Sequence, residues 1–291
     1  MVSLRSLLCI AGVLQVLASG ETRSATKQTL PPIPRSDRAI RSCRGGGIND
    51  KKVAVVTSLI LAMNSGFVNG CTLSGFINGA KQATAAVTGG WTNSAIGWAA
   101  GTSAFATQAK LILCFIGGSC IASLYNPNPV LFDFAPGSFR PSLMTCSVLL
   151  FASHHFAQKG NSNFLAMCAI ASGIQNSVTS VSTGNLCRTT HYTGISSDMG
   201  TFLGQYLRGN KDNLFKLQVF ASLAACFWLG GAIAYYVANN MGASALLIPA
   251  IVYALMSTGF VHKLLGAYEV PPPKKPAVPE YVPPSVKIHS Q

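Results

Sequence analysis

The sequence predicts an all-α fold: a polytopic bundle of transmembrane helices made of two pseudo-symmetric repeats. Three observations carry this. Only 10% of the 291 residues are charged and 49% are hydrophobic, against about 25% charged in a soluble domain. Residues 53–80, 82–109, 111–132, 141–158 and 160–187 each lack Asp, Glu, Lys and Arg, and 217–262 form an uncharged run of 46, enough for two crossings at about 20 residues each. Short motifs also recur in the same order in the two halves.

The chain opens with MVSLRSLLCIAGVLQVLASG, residues 1–20. Arg5 makes a basic start, residues 7–17 an apolar stretch, and Ala18 and Gly20 a small-residue cut, the pattern of a secretory signal peptide. Residues 21–50 follow as a transit-like or disordered linker, with six basic residues, three acids and six Ser or Thr. Signal plus transit-like segment resembles the bipartite leader of proteins imported into complex plastids, without the aromatic usual after the cut. The expected location is therefore a eukaryotic endomembrane or plastid membrane.

The repeat domain spans 51–263, with repeat 1 over about 53–158 and repeat 2 over about 164–262. Six crossings are expected near 53–75, 109–126, 141–158, 164–184, 215–237 and 243–262. The turn NNMG at 239–242 divides the last long run, and Pro127, Pro129, Pro136 and Pro141 punctuate the link before the third. Two weaker segments, 83–105 and 189–207, are rich in Gly, Ser and Thr. They are expected to be short Thr-Gly helices, re-entrant or crossing. Residues 264–291 are a proline-rich tail, which cannot sustain a helix and is expected to be extended and disordered.

The repeat is legible in three places. AMNSGFVNG at 62–70 matches AIASGIQNS at 169–177, aligning Ser65-Gly66 with Ser172-Gly173 and Asn69 with Asn176. TAAVTGGWTN at 84–93 matches TTHYTGISSD at 189–198, aligning Thr88-Gly89 with Thr193-Gly194 and Asn93 with Asp198. FIGGSCIA at 115–122 matches WLGGAIAY at 228–235, aligning Gly117-Gly118 with Gly230-Gly231. The offsets are 107, 105 and 113. Duplicated apolar segments interrupted at corresponding places point to a transporter-like site. Glycine allows close helix approach or a backbone break, and Thr, Ser and Asn satisfy the polar groups a break exposes.

Loop charges do not count the crossings. With eight, Lys51, Lys52, Lys110, Lys159, Arg208, Lys211, Lys216 and Lys263 share the N-terminal side, against Lys81, Arg140 and Arg188. With six, Arg140 and Arg188 exchange places with Lys110 and Lys159. Both models give eight against three and put both mature ends on the cytosol-like side. Three crossings per half make the repeats inverted; four make them parallel.

SGFVNG at 65–70, Thr88-Gly89, GIQNS at 173–177 and TTHYTG at 189–194 together resemble the YoaK-like family of multi-pass membrane proteins, DUF1275, over about 53–262. The resemblance implies an integral membrane protein with a presumed transport role and no settled biochemical activity. This chain carries Asn69 where the family tends to have an acid, and Thr88-Gly89-Gly90 where the family tends to have Thr-Gly-Asn.

Candidate pathway residues are Asn69, Thr88, Asn93, Gln175, Asn176, His191, Thr193 and Asp198. Asp198 is the single acid within an apolar segment. A charge at mid-membrane costs about 2.5–3.5 kcal/mol on insertion scales and usually faces a polar interior; the bland alternative is an interfacial anchor. His191 lies seven residues before it and reads as a proton relay or as a membrane-boundary histidine. Asn69, Gln175 and Asn176 either line a shared cavity or hydrogen-bond between helices, at about 0.6 kcal/mol a bond. Gly66, Gly89, Gly117, Gly118, Gly173, Gly194, Gly230 and Gly231 are expected to be structural. Trp91 and Trp98 fit an interface belt better than a substrate cage. His154-His155 cannot both face inward on one helix.

The nine cysteines include no CxxC pair and no zinc spacing, so no metal and no cofactor are expected. The net charge of +13 is spread over leader, loops and tail, without a basic stripe carrying interleaved aromatics, which argues against nucleic acid. The expected partners are the lipid bilayer and an unknown small solute, with a homo-oligomer left open. Three function classes remain: a small-solute transporter or channel; a non-transporting scaffold or assembly factor docking through the tail; and an intramembrane enzyme. For the enzyme, Gly194-Ile195-Ser196 is loosely similar to a rhomboid-type serine motif, with His154 as base. No HExxH occurs and an aspartyl mechanism lacks its second acid, so no enzyme is expected.

Overall fold

The computed structural model describes residues 48–132 and 136–261. The expected signal peptide, most of the linker and the proline-rich tail lie outside the described residues. Among the described residues the chain is all-helical. It runs α1 (Ile48–Leu73), α2 (Thr88–Ala99), α3 (Ala104–Tyr125), α4 (Pro136–Gln158), α5 (Asn163–Ser182), α6 (Tyr192–Leu207) and α7 (Leu214–Met241). A 3-10 turn (Gly242–Leu246) then leads into α8 (Leu247–Ser257). Four segments are long and apolar enough to cross a membrane: Lys51–Leu73, Ala104–Tyr125, Asn163–Ser182 and Leu214–Ser257. The last contains α7 and α8. The break between them falls at Gly242, whose φ of 54° is open to glycine at little cost.

Helix directions follow from the contacts. Lys110 Nζ donates to Asn163 Oδ1 at 2.7 Å and Ser119 Oγ to the Gly173 carbonyl at 3.1 Å, so α3 and α5 run parallel. Gly66 meets Phe227, and Gly70 meets Gly231 and Ala234, so α1 and α7 run parallel too. Ser153 Oγ donates to Phe164 O and Cys146 Sγ to Ala171 O, which sets α4 antiparallel to α5. Ser147 Oγ bonds Ala250 O at 2.8 Å, and His154 Nδ1 lies 3.1 Å from Ala243 O, which sets α4 antiparallel to α8. His154 is thus engaged within the bundle and His155 is exposed.

The start of α1 sits by the end of α5: Lys51 Nζ lies 5.5 Å from the Phe132 ring centroid, and Phe132 N donates to Ser182 O at 2.6 Å. Past the end of α1, Asn78 Nδ2 donates to Ala157 O, near the end of α4, at 2.9 Å. Hence α1, α4 and α7 begin at one end of the bundle, here the N end, and α3, α5 and α8 begin at the far end. The α2 arm, residues 74–103, leaves and returns at the far end. The α6 arm, residues 183–213, leaves and returns at the N end.

Four glycines let the parallel pairs close. A methyl group on Gly66 would lie 2.0 Å from the Phe227 carbonyl oxygen, and one on Gly230 would lie 2.0 Å from that of Met63. In the other pair, a methyl on Gly118 would lie 2.1 Å from the Ile170 carbonyl oxygen, and one on Gly173 would lie 2.1 Å from that of Phe115. Lipid tails are as apolar as side chains, so helices in a membrane associate through such backbone approach rather than through a hydrophobic driving force. Among the described residues, Gly117 and Gly89 meet nothing within 4 Å, Gly231 makes an ordinary 3.7 Å contact, and Gly194 faces the His191 ring. The expected pairing of Gly117-Gly118 with Gly230-Gly231 is therefore one residue out of step: the contacts match Gly118 to Gly230.

The core is central to α1 and α5, with Leu61, Val68, Cys71, Phe164, Cys168 and Ile174 among its fully buried members. Leu113, Ile116 and Leu124 on α3, with Trp228, Ile233 and Tyr236 on α7, are exposed. Contiguous outward apolar surface of this kind is what a bilayer covers.

Candidate functional site

Both non-regular arms fold back into the bundle, and each is fixed by a pair of threonines. After α1 the chain turns through Gly75, Asn78 and Gly79, all with positive φ. It then runs back along α1: Gln82 N donates to Thr72 O at 3.0 Å, and the Thr72 and Thr84 hydroxyls pair at 3.2 Å. Asn69 Oδ1 accepts from the backbone N–H of Thr84 and of Ala85, each at 3.1 Å. This carboxamide supplies partners that the irregular stretch at Thr84–Ala85 would otherwise lack. From there α2 leads out along α3, with Gly97 close against Phe105 N and Gln108 Nε2 donating to Gln82 Oε1.

The other arm repeats the scheme from the N end. Cys187 N donates to Thr183 Oγ1 at 2.8 Å, and the Thr179 and Thr189 hydroxyls pair at 3.2 Å. Thr189 lies beside Gln175, seven residues before the end of α5, so the arm reaches about 10 Å inward at 1.5 Å per residue. Gln175 is fully buried. Its Nε2 donates to Leu61 O at 2.9 Å and to Thr189 Oγ1 at 2.8 Å, and its Oε1 accepts the Tyr253 hydroxyl. This one side chain ties α1, α5, α8 and the arm together. α6 then leads out along α7, with the Tyr192 hydroxyl on Leu223 O and the rings of Phe202 and Phe220 stacked at 5.9 Å. Burial pushes the Cys187 thiol above its ordinary value, so it is a neutral packing group.

The eight candidate pathway residues do not converge on one cavity. Asn69 anchors the α2 arm and Gln175 the bundle centre. Thr88 and Asn93 are exposed on α2; His191, Thr193 and Asp198 are exposed on the α6 arm. The interior position expected for Asp198 is corrected here. α6 buries Ile195 and packs Met199 and Phe202 towards α1 and α7, leaving Asp198 outside. His191 folds its ring over Gly194, one turn into α6. Asn176, the counterpart of Asn69, is half-buried, and its Oδ1 is buried without a partner among the described residues. Among the described residues, no three His, Cys, Asp or Glu side chains come together.

Sequence reasoning passed over Thr72, Thr179 and Tyr253. A signal existed for the threonines: Thr72 and Thr179 stand 107 apart, and Thr84 and Thr189 stand 105 apart, two of the three offsets of the matched motifs. Tyr253 carried none, being one aromatic within a long apolar run.

A family model described as a protein of unknown function, DUF1275, matches residues 57–259. No curated protein matches the chain, and no solved structure does.

Proposed function

The chain belongs to the DUF1275 family of proteins of unknown function, and from that premise we propose that it is a small-solute transporter or channel with an internally duplicated core. The reading takes six crossings, α1, α3, α4, α5, α7 and α8, with the α2 and α6 arms re-entrant from opposite faces. Three crossings per half make the repeats inverted.

The observation that carries the reading is the matched set of contacts. Met63, Gly66 and Thr72 correspond to Ile170, Gly173 and Thr179 at an offset of 107, and Phe115 and Gly118 to Phe227 and Gly230 at 112. The four closest glycine–carbonyl approaches fall into two equivalent pairs, and the Thr72–Thr84 pair has its equivalent in Thr179–Thr189. The first crossing of each half packs on the second crossing of the other, so the duplicated halves interlock. Broken pieces entering from opposite faces of an inverted repeat are a common construction of membrane transporters.

The N end holds Lys51, Lys52, Arg140, Arg188, Arg208, Lys211 and Lys216, against Lys81, Lys110 and Lys159 at the far end. This bias favours the N end as the cytosol-like side. Delivery to an endomembrane or plastid membrane rests on the composition of residues 1–50. The reading assigns no catalytic residue and no cofactor.

The test is reconstitution of the full chain into liposomes and stopped-flow light scattering with glycerol, urea and potassium chloride as separate osmolytes. Faster re-equilibration than in protein-free liposomes for at least one osmolyte is expected. No acceleration by the folded, inserted protein for any of them counts against transport and favours the scaffold.

A further inference from the structure

A cavity of about 190 Å³ opens at the N end between the last turns of α3, the first turns of α4 and the last turns of α5. At about 30 Å³ per water it has room for about six waters. Ser123, Asn126, Ser142, Ser177 and Ser182 line it beside the apolar Phe139, Val178 and Val181, and among the described residues no charged side chain does. Ser142 is 1% exposed, and its hydroxyl has no hydrogen-bond partner among the described residues.

The duplicated contacts say what stands at the equivalent place on the far end. Ala122, Ser123 and Asn126 map by 112 to Ala234, Tyr235 and Ala238; Ser177 and Val178 map by 107 to Gly70 and Cys71. There the surfaces are shut. A methyl on Gly70 would meet Ala234 Cβ at 2.7 Å, and the Tyr235 ring lies 5.1 Å from that of Phe76. Cys71, Ala234 and Ala238 are fully buried. One end is open and its counterpart is closed, built from corresponding positions of the same two helix pairs.

We propose that the N-end cavity is one mouth of a site for a small uncharged solute rich in hydroxyl or amide groups. The second mouth opens at the far end, between α1, α7 and α8, when the first closes. This rests on the transport reading and names its substrate class. Hydroxyls and a carboxamide replace the hydration of a neutral polar solute, whereas an ion entering a cavity without counter-charge loses hydration uncompensated. Two packings of one duplicated bundle supply the bistable element that an exchange of mouths requires.

Cys71 is a native reporter: buried here, it lines the far-end mouth in the alternative state. The full chain is prepared in three forms: cysteine-free except Cys71, cysteine-free except Cys168, and cysteine-free with Ser177→Cys. Each is placed in sealed liposomes of known orientation and exposed to a membrane-impermeant methanethiosulfonate reagent from either face. Ser177→Cys reacts from the N-end face, and glycerol slows that reaction. Cys71 reacts from the far face, more slowly, since a minor state at about 0.1–10% population suffices. Cys168, fully buried in the core, stays silent. The proposal falls if Cys71 is as silent as Cys168, if both react alike through general loosening, or if Ser177→Cys is inert or indifferent to glycerol. Liposome flux with a silent Cys71 keeps transport and rejects exchanging mouths; a reactive Cys71 without flux of any osmolyte rejects transport instead.

Discussion

Gly66 and Phe227 are in backbone contact across α1 and α7, so close that the smallest side chain at Gly66 would overlap the Phe227 carbonyl, at 2.0 Å. The same approach recurs between Gly173 and Phe115 at 2.1 Å. Neither neighbour can yield by a rotamer change, because the obstructing atoms are backbone. The helices themselves must part.

Gly66→Ala, Gly118→Ala, Gly173→Ala and Gly230→Ala are each expected to destabilise the protein by about 1–3 kcal/mol, the usual cost of overpacking. At about 2–4 °C per kcal/mol for a chain of this size, thermal melting of the purified protein in detergent resolves the effect. Gly117→Ala and Gly89→Ala, with nothing within 4 Å among the described residues, are expected to melt with the parent. Equal losses at all six would remove the special status of the four.

Gln175 satisfies three groups from three elements at once. Tyr253→Phe removes one bond and is expected to cost about 0.6–2 kcal/mol, the measured range for hydrogen bonds between membrane helices. Gln175→Leu removes all three bonds at once and is expected to cost more. In a double-mutant cycle, the Tyr253→Phe loss shrinks when Gln175 is already Leu. Full additivity would show that the two residues do not interact.

Asp198 is exposed on α6, and an uncharged solute needs no acid. Asp198→Asn is expected to leave melting temperature and liposome flux unchanged. Flux abolished in folded, inserted protein would return Asp198 to the mechanism and point to a charged or proton-coupled substrate.

The bundle was legible in the sequence because apolar runs of membrane length and loop punctuation are one-dimensional properties. The start of α7, expected at 215 and found at Leu214, shows this. Extended ends were less legible: α4 begins at Pro136, because proline is well placed in the first turn of a helix. The site was only partly legible. Asn69 and Gln175 stand out as amides in apolar helices, and their partners are fixed by the fold. Which way Asp198 faces depends on the Ile195–Met199–Phe202 stripe having only α7 and α1 to meet, which no spacing rule contains. The alignment of Gly117 with Gly230 failed for a similar reason: adjacent glycines look interchangeable in sequence, but only Gly118 faces the partner backbone.

Topology mapping tests the central claim most directly. Cysteines replace Lys81, Lys110 and Arg208 one at a time in a cysteine-free chain, which is then labelled in sealed vesicles with an impermeant maleimide. If the arms return to the face they left, positions 81 and 110 are labelled from one side and position 208 from the other. Position 110 labelled with 208, and opposite to 81, would mean that the α2 arm crosses the membrane, and the inverted three-helix repeat would be wrong.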